Sequence, residues 1–204
     1  MPSLLLGTRN RKKGQELIKL LAPWGFELTT LADEPRAIEV EETGQTFAAN
    51  AALKACQQAK HLGRWVLGED SGLVVDALGG EPGVYSARFS GPNATDESNN
   101  DLLLTRLGDT PLERRTAHYV CHAVLSDPRG TIRAESEGEC HGRIRFERAG
   151  SGGFGYDPLF EIVEYHRTFG QLGPVAKAAL SHRARAIRAL VPAMLRLVDS
   201  GEWT

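Results

Sequence analysis

At 204 residues, with Lys+Arg 24 against Asp+Glu 26 and 41% hydrophobic residues, the chain is long enough for one sizeable domain and too short for two. The near balance of charge excludes the cationic excess that non-specific nucleic-acid binding requires, and no apolar run approaches the roughly 18 residues of a membrane helix. The opening MPSLLLGTRN has no basic leader and no apolar segment of signal-peptide length, and three cysteines without a CxxC pair (Cys56, Cys121, Cys140) fit reduced thiols, so one domain over 1–204 in the cytoplasm is expected.

SLLLGT (3–8) predicts a short strand, and Leu17, Leu20 and Leu21 at helical spacing predict a helix that ends at Pro23 and Gly25. Between them lies GTRNRKK (7–13). Thr8, Arg9, Asn10, Arg11, Lys12 and Lys13 stand there beside unused helix N–H groups and the positive end of the helix dipole, a reasonable place for phosphate oxygens. The plainer alternative is that Thr8 or Asn10 caps the helix and the cations are solvated. Farther on, Phe47, Ala51, Ala55, Ala59 and Leu62 form one stripe of a second helix, with Thr43 or Thr46 as cap and Gly63 as stop. Glu41 and Glu42 precede it, and acids there favour the dipole whatever else they do.

WVLGEDSGLVVDALGG (65–80) reads as buried strand interrupted by Glu69 and Asp70. A carboxylate among apolar residues costs free energy unless it is paired, hydrogen-bonded or coordinated, which makes Asp70 the leading catalytic candidate. With Glu41-Glu42 the two acidic pairs could converge on one hard divalent cation such as Mg²⁺. Residues 79–100, dense in Gly, Pro, Asn and Asp, predict a long loop before helical spacing resumes at DLLLTRLG. Two strands about the turn Asp127-Pro128-Arg129-Gly130 predict a hairpin, on which Cys121 faces away from His118 and His122.

GSGGFGYDP (150–158) formally satisfies G-x-G-x-x-G but lies late in the chain and opens no helix, so it is rejected as a dinucleotide fingerprint. What remains is a close-approach loop offering Phe154 and Tyr156 as stacking faces and Asp157 as an acceptor for a base N–H, or else a turn with two core aromatics. Ser181-His182-Arg183 stands near a helix start, and HRARAIRALVPAMLRLV carries an amphipathic stripe in which Pro192 should bend or break the helix. Helices flanking strands with a late hairpin predict a mixed-sheet α/β fold.

In order along the chain, GTRNRKKGQEL, EETGQTFAANAALKA, EDSGLVVDALGGEPGVYSARFSG, GGFGYDPLF and LSHRARA resemble the inosine/xanthosine triphosphate pyrophosphatases, enzymes that hydrolyse non-standard purine nucleoside triphosphates. The resemblance implies an elongated two-lobed mixed α/β fold with its active site in the cleft between the lobes, usually a homodimer. It further implies Mg²⁺-dependent conversion of ITP, XTP and dITP to the monophosphate and pyrophosphate, with no nucleic-acid or membrane partner. Thr8, Asn10 and Lys13 match its phosphate motif, Asp70 its general base and metal-linked acid, and Ser71 a substrate contact. Phe154, Gly155, Tyr156 and Asp157 match the base-facing loop, Lys177 a further contact, His182-Arg183 the purine reader, and Glu41 or Glu42 a metal ligand. Arg9, Glu69, Ala49 and the GPVAK segment depart from the common pattern at positions that bear on binding strength rather than on reaction class. Two other readings are open: a pyrophosphatase of modified pyrimidine triphosphates, and a non-catalytic nucleotide sensor.

Overall fold

The computed structural model describes residues 1–203. Seven strands form one mixed sheet in the order β2-β1-β3-β4-β5-β6-β7: β1 (Ser3–Leu6), β2 (Glu27–Thr30), β3 (Val66–Val75), β4 (Thr116–Ser126), β5 (Ile132–Ile144), β6 (Phe160–Ile162) and β7 (Arg167–Thr168). β1 runs parallel to β2 and β3, whereas β6 is antiparallel to β5 and β7, so the mixed α/β expectation holds. The helices are α1 (Arg11–Leu21), α2 (Phe47–Leu62), α3 (Asp96–Leu107), α4 (Phe169–Leu180) and α5 (His182–Asp199). Among the described residues no helix is long and apolar enough to cross a membrane, and no cysteine is in a disulfide.

The chain divides into two compact units. The first comprises Met1–Asp70, Cys121–Gly138 and the described residues from Arg183 onward; the second comprises Ser71–Val120 and Glu139–His182. In the first unit the alternation of β3 sorts its residues strictly. Trp65 and Leu67 join the core formed with α1, α5 and Cys121, Ala123 and Leu125 of β4, while Val66 packs with Leu5, Ala59 and Leu62 on the α2 face. Gly68 falls on that second face for a steric reason. A Cβ there would lie 2.6 Å from the Ala51 carbonyl oxygen and from the Ala55 nitrogen, so only glycine lets α2 come this close. The second unit has its own core, in which Tyr119, Phe160 and Phe169 pack with Leu73, Leu103 and Leu159.

Several local expectations need correction. β3 runs unbroken through Glu69 and Asp70, because both carboxylates are paired and the strand has no need to leave the sheet. The loop after it is shorter than composition suggests: α3 begins at Asp96, since Thr95 accepts from the Ser98 N–H while the Ser98 hydroxyl accepts from the Thr95 N–H, a closed capping box. α5 continues through Pro192 without ending there. The sharp break lies in α4, where Gly173 takes φ 76°, ψ 173° immediately before Pro174. β2, β6 and β7 escape the sequence patterns because they hold only four, three and two residues.

Candidate active site

In the first unit, consecutive carboxylates serve opposite faces of β3. Glu69, with its side chain 1% exposed, lies 3.1 Å from Lys13 Nζ and accepts from Arg183 Nη2 at 3.3 Å and from the Cys121 thiol at 3.4 Å. Burial pushes its carboxyl up, but the charges of Arg183, Lys13 and Lys54 outweigh that and hold it well below the usual carboxylate range. The same burial, with Glu69 beside it, pushes the Cys121 thiol well up, which keeps it protonated and unreactive. Arg183 closes the cluster by donating to Glu16 at 2.5 Å.

Asp70 points the other way, toward α2. It accepts from Lys54 Nζ at 2.9 Å and from Asn50 Nδ2 at 3.3 Å, and Lys54 also lies 3.2 Å from Glu42. Burial raises the Asp70 carboxyl, an effect that Lys54 and Lys13 oppose and Glu42 reinforces. Asn50 and Lys54 are an i,i+4 pair on α2, delivered to Asp70 by the close approach at Gly68. The sequence reading missed both, although that spacing on the same helix as the Ala51–Ala55 stripe would have exposed them.

Other expected residues fall as follows. Asn10 is the N-cap of α1, accepting from the Lys12 and Lys13 N–H groups, and its carbonyl takes the Gly14 N–H. The helix N–H groups expected to be unused are therefore largely satisfied, and the capping alternative describes Asn10. Thr8 accepts from the Asn10 N–H, Arg9 donates to the Ala37 carbonyl, and Arg11 and Lys12 are exposed. Glu41 is exposed beside Glu42.

In the second unit, the 150–158 loop is tied internally. Asp157 accepts from the Phe154 N–H at 2.8 Å and from Lys177 Nζ at 2.6 Å, and the Lys177 ammonium sits 4.2 Å from the Phe154 ring centre. A Cβ on Gly153 would collide with the Asp157 carboxylate, which fixes glycine there. Asn100, not foreseen, donates to the Gly155 carbonyl at 2.9 Å and anchors the loop to α3. Tyr156 does not offer a stacking face: it is 3% exposed, and its hydroxyl donates to the Ser86 carbonyl while burial pushes its pKa up. Phe154 remains half-buried. His182 stacks on Tyr119 with ring centres 4.6 Å apart, inside the second core. Arg183, expected at the purine, is 1% exposed and paired with Glu16 and Glu69.

Among the described residues no group of three or more His, Cys, Asp and Glu side chains is placed to hold a metal. Glu42 and Asp70, however, already share one cation, the Lys54 ammonium, between two oxygen donors. Such a pair fits Mg²⁺, which is bound through one or two carboxylates and keeps waters and phosphate oxygens for the rest of its shell.

A family model described as the Ham1 family matches residues 4–193. The chain is 56% identical over 200 residues to the dITP/XTP pyrophosphatase of Rhodopirellula baltica, covering 98% of this chain and 96% of that protein. Among solved structures it is similar to the Ham1 protein of Staphylococcus aureus (TM-score 0.82, 36% identity, 98% and 99% of the two chains). It is likewise similar to a HAM1 protein of Coxiella burnetii (TM-score 0.86, 34% identity, 96% and 100%).

Proposed function

The chain belongs to the Ham1 family and is a nucleoside triphosphate pyrophosphatase; from that premise we propose that its substrates are dITP, XTP and ITP, cleaved with Mg²⁺ to the monophosphate and pyrophosphate. The observation that carries this reading is the grouping of Asp70, Lys54 and Glu42 with Asn50 on one face of β3, a carboxylate base and a phosphate-binding cation held together by burial.

Cleavage at the α-phosphorus needs an oriented water, neutralised phosphate oxygens and a held leaving group. Asp70, its carboxyl raised by burial, accepts the proton of the attacking water and directs its lone pair at phosphorus. Lys54 and Lys13 bind the phosphate oxygens; each gives up a carboxylate partner for a phosphate, an exchange of one charge-assisted hydrogen bond for another. Thr8 and Asn10 order the turn that presents Lys13, and Ser71 contributes its hydroxyl next to Asp70. Glu42 and Asp70, with Glu41 adjacent, would hold Mg²⁺, which when bound supplies charge neutralisation on the triphosphate.

For the base, Phe154 supplies the aromatic surface, Lys177 and Asp157 fix its loop with Gly155 and Tyr156, and His182 supports it from the core. A keto oxygen at purine position 6 accepts where adenine's amino group cannot, which suits an arginine donor. For Arg183 to serve, it must exchange its Glu16 bond for the base. The same resemblance carries homodimer formation, which sedimentation equilibrium tests.

The test is pyrophosphate release from ITP, XTP, dITP, GTP and ATP with and without Mg²⁺. Release from the first three that depends on Mg²⁺ is expected. Equal use of ATP, preference for modified pyrimidine triphosphates, or ITP binding without release would overturn the reading.

A further inference from the structure

We infer that the first unit carries a second anion site, built for a phosphate group, at the end of the sheet where β1 and β3 begin. A cavity of about 480 Å³ opens there, lined by Arg64, Arg129, Arg133, Asp127, Trp65 and Glu202 among others. Trp65 precedes Asp70 by five residues of extended chain, about 16 Å at strand rise, so this cavity is distinct from the catalytic carboxylate.

The charge in the cavity is unbalanced. Three guanidiniums line it against two carboxylates, and one carboxylate is committed to the backbone: Asp127 Oδ1 accepts from the Arg129 and Thr131 N–H groups, closing the β4–β5 turn. Its Oδ2 is shared between Arg129 at 3.4 Å and Arg133 at 3.6 Å. The Arg129 side chain is 82% exposed and makes no other ion pair among the described residues, which leaves most of its planar fork of N–H donors for a ligand. Arg64 is better anchored, donating to Ser3 and Thr29 hydroxyls and weakly to Glu34, and so is aimed before any ligand arrives.

The site is also backed by a rigid wall. Phe26, Trp203 and Trp65 stack in series, with centre distances of 5.2 and 4.6 Å, and the Arg133 guanidinium lies over the Trp65 ring at 5.8 Å. Arg133 also bonds Glu202, and this pair separates the cavity from a neighbour of about 450 Å³ bordered by Arg196 and Ser200. Several guanidiniums around one pocket match the bidentate geometry of a phosphate, whose oxygens can accept from two forks at once. The shared chemistry is the phosphate group, whether inorganic phosphate or a nucleoside monophosphate.

Tryptophan emission reads this site, because Arg133 touches Trp65, and it needs no turnover. Inorganic phosphate and a nucleoside monophosphate are titrated separately at ionic strength held constant with chloride, and inhibition of pyrophosphate release is measured alongside. A saturable emission change is expected, with its midpoint raised at least about tenfold in the Arg129→Ala variant, as loss of charge-assisted hydrogen bonds implies. Basal turnover and the inhibition constant should stay as in the wild type. The more effective of the two titrants identifies the source of the phosphate. An unchanged midpoint in the variant, an emission change that follows the inhibition constant in both proteins, or no saturable change in the wild type would each overturn the inference.

Discussion

Glu69 and Asp70 are adjacent in the chain yet belong to separate ion-pair clusters on opposite faces of β3, Glu69 with Lys13 and Arg183, Asp70 with Lys54 and Glu42. Their substitutions should therefore fail differently. Asp70→Asn keeps shape and neutralises the base, so turnover should fall on the order of a hundredfold or more while the melting temperature changes little. Glu69→Gln leaves Arg183 and Lys13 facing a neutral group in a buried place and should cost about 3 kcal/mol of stability. Thermal unfolding and pyrophosphate release measured on both variants separate the two roles, and a stable, active Glu69→Gln protein would contradict them.

Lys54 tests the phosphate assignment. Lys54→Met removes the ammonium and keeps most of the stem, so KM for the triphosphate should rise and kcat should fall together. Added Mg²⁺ should restore part of the lost rate if Glu42 and Asp70 hold it, since the carboxylates then regain a cation. Rates indifferent to Mg²⁺ in both proteins would count against that donor pair.

Gly68→Ala should act through α2 rather than through chemistry. The new methyl meets backbone atoms of Ala51 and Ala55, so the helix must move, at a cost of about 1–3 kcal/mol. Trimming the neighbouring side chain by Ala55→Gly should fail to rescue it, because the obstacle is main chain. Rescue of both melting temperature and turnover by that second change would refute the packing argument.

The pH dependence of the β4–β5 turn follows from Asp127. Burial pushes its carboxyl up, but hydrogen bonds from the Thr131 and Arg129 N–H groups and the Arg129 charge outweigh it and hold it below its ordinary value. A depressed folded-state value contributes stability above the unfolded value, near 3.8, that disappears as pH falls through the folded one. Asp127→Asn should thus cost about 1 kcal/mol at neutral pH, and the gap in melting temperature should close below about pH 4. A gap independent of pH would place the stabilisation in shape rather than charge.

How much of this was legible in the sequence depends on distance along the chain. Thr46 as cap, Gly63 as stop and the 127–130 turn are local events, decided by residues within one or two turns of each other. Asp70 was legible as a free-energy anomaly, an acid where burial penalises charge. Its partners were not, because pairing with Lys54 depends on Gly68 admitting α2, a tertiary fact with no local signature. The surroundings of Tyr156 and Arg183 were not legible for a related reason. An aromatic or a cation can serve core or ligand equally well, and the partners seen here, the Ser86 carbonyl and the Glu16 and Glu69 carboxylates, are remote in sequence.

The last strip of chain completes the first unit, and that has a bearing on synthesis. Glu69 meets Arg183 across 114 residues, and Trp203 stacks on Phe26 and Trp65 from the far end. Residues emerge from the ribosome in order, so the apolar face that α5 covers stays open to water, chaperones and other nascent chains until α5 itself has been made. Nascent chains stalled before α5 would carry Asp70, Lys13 and Lys54 yet leave Glu69 without Arg183. The enzyme therefore acquires its buried charge balance only once α5 has been made.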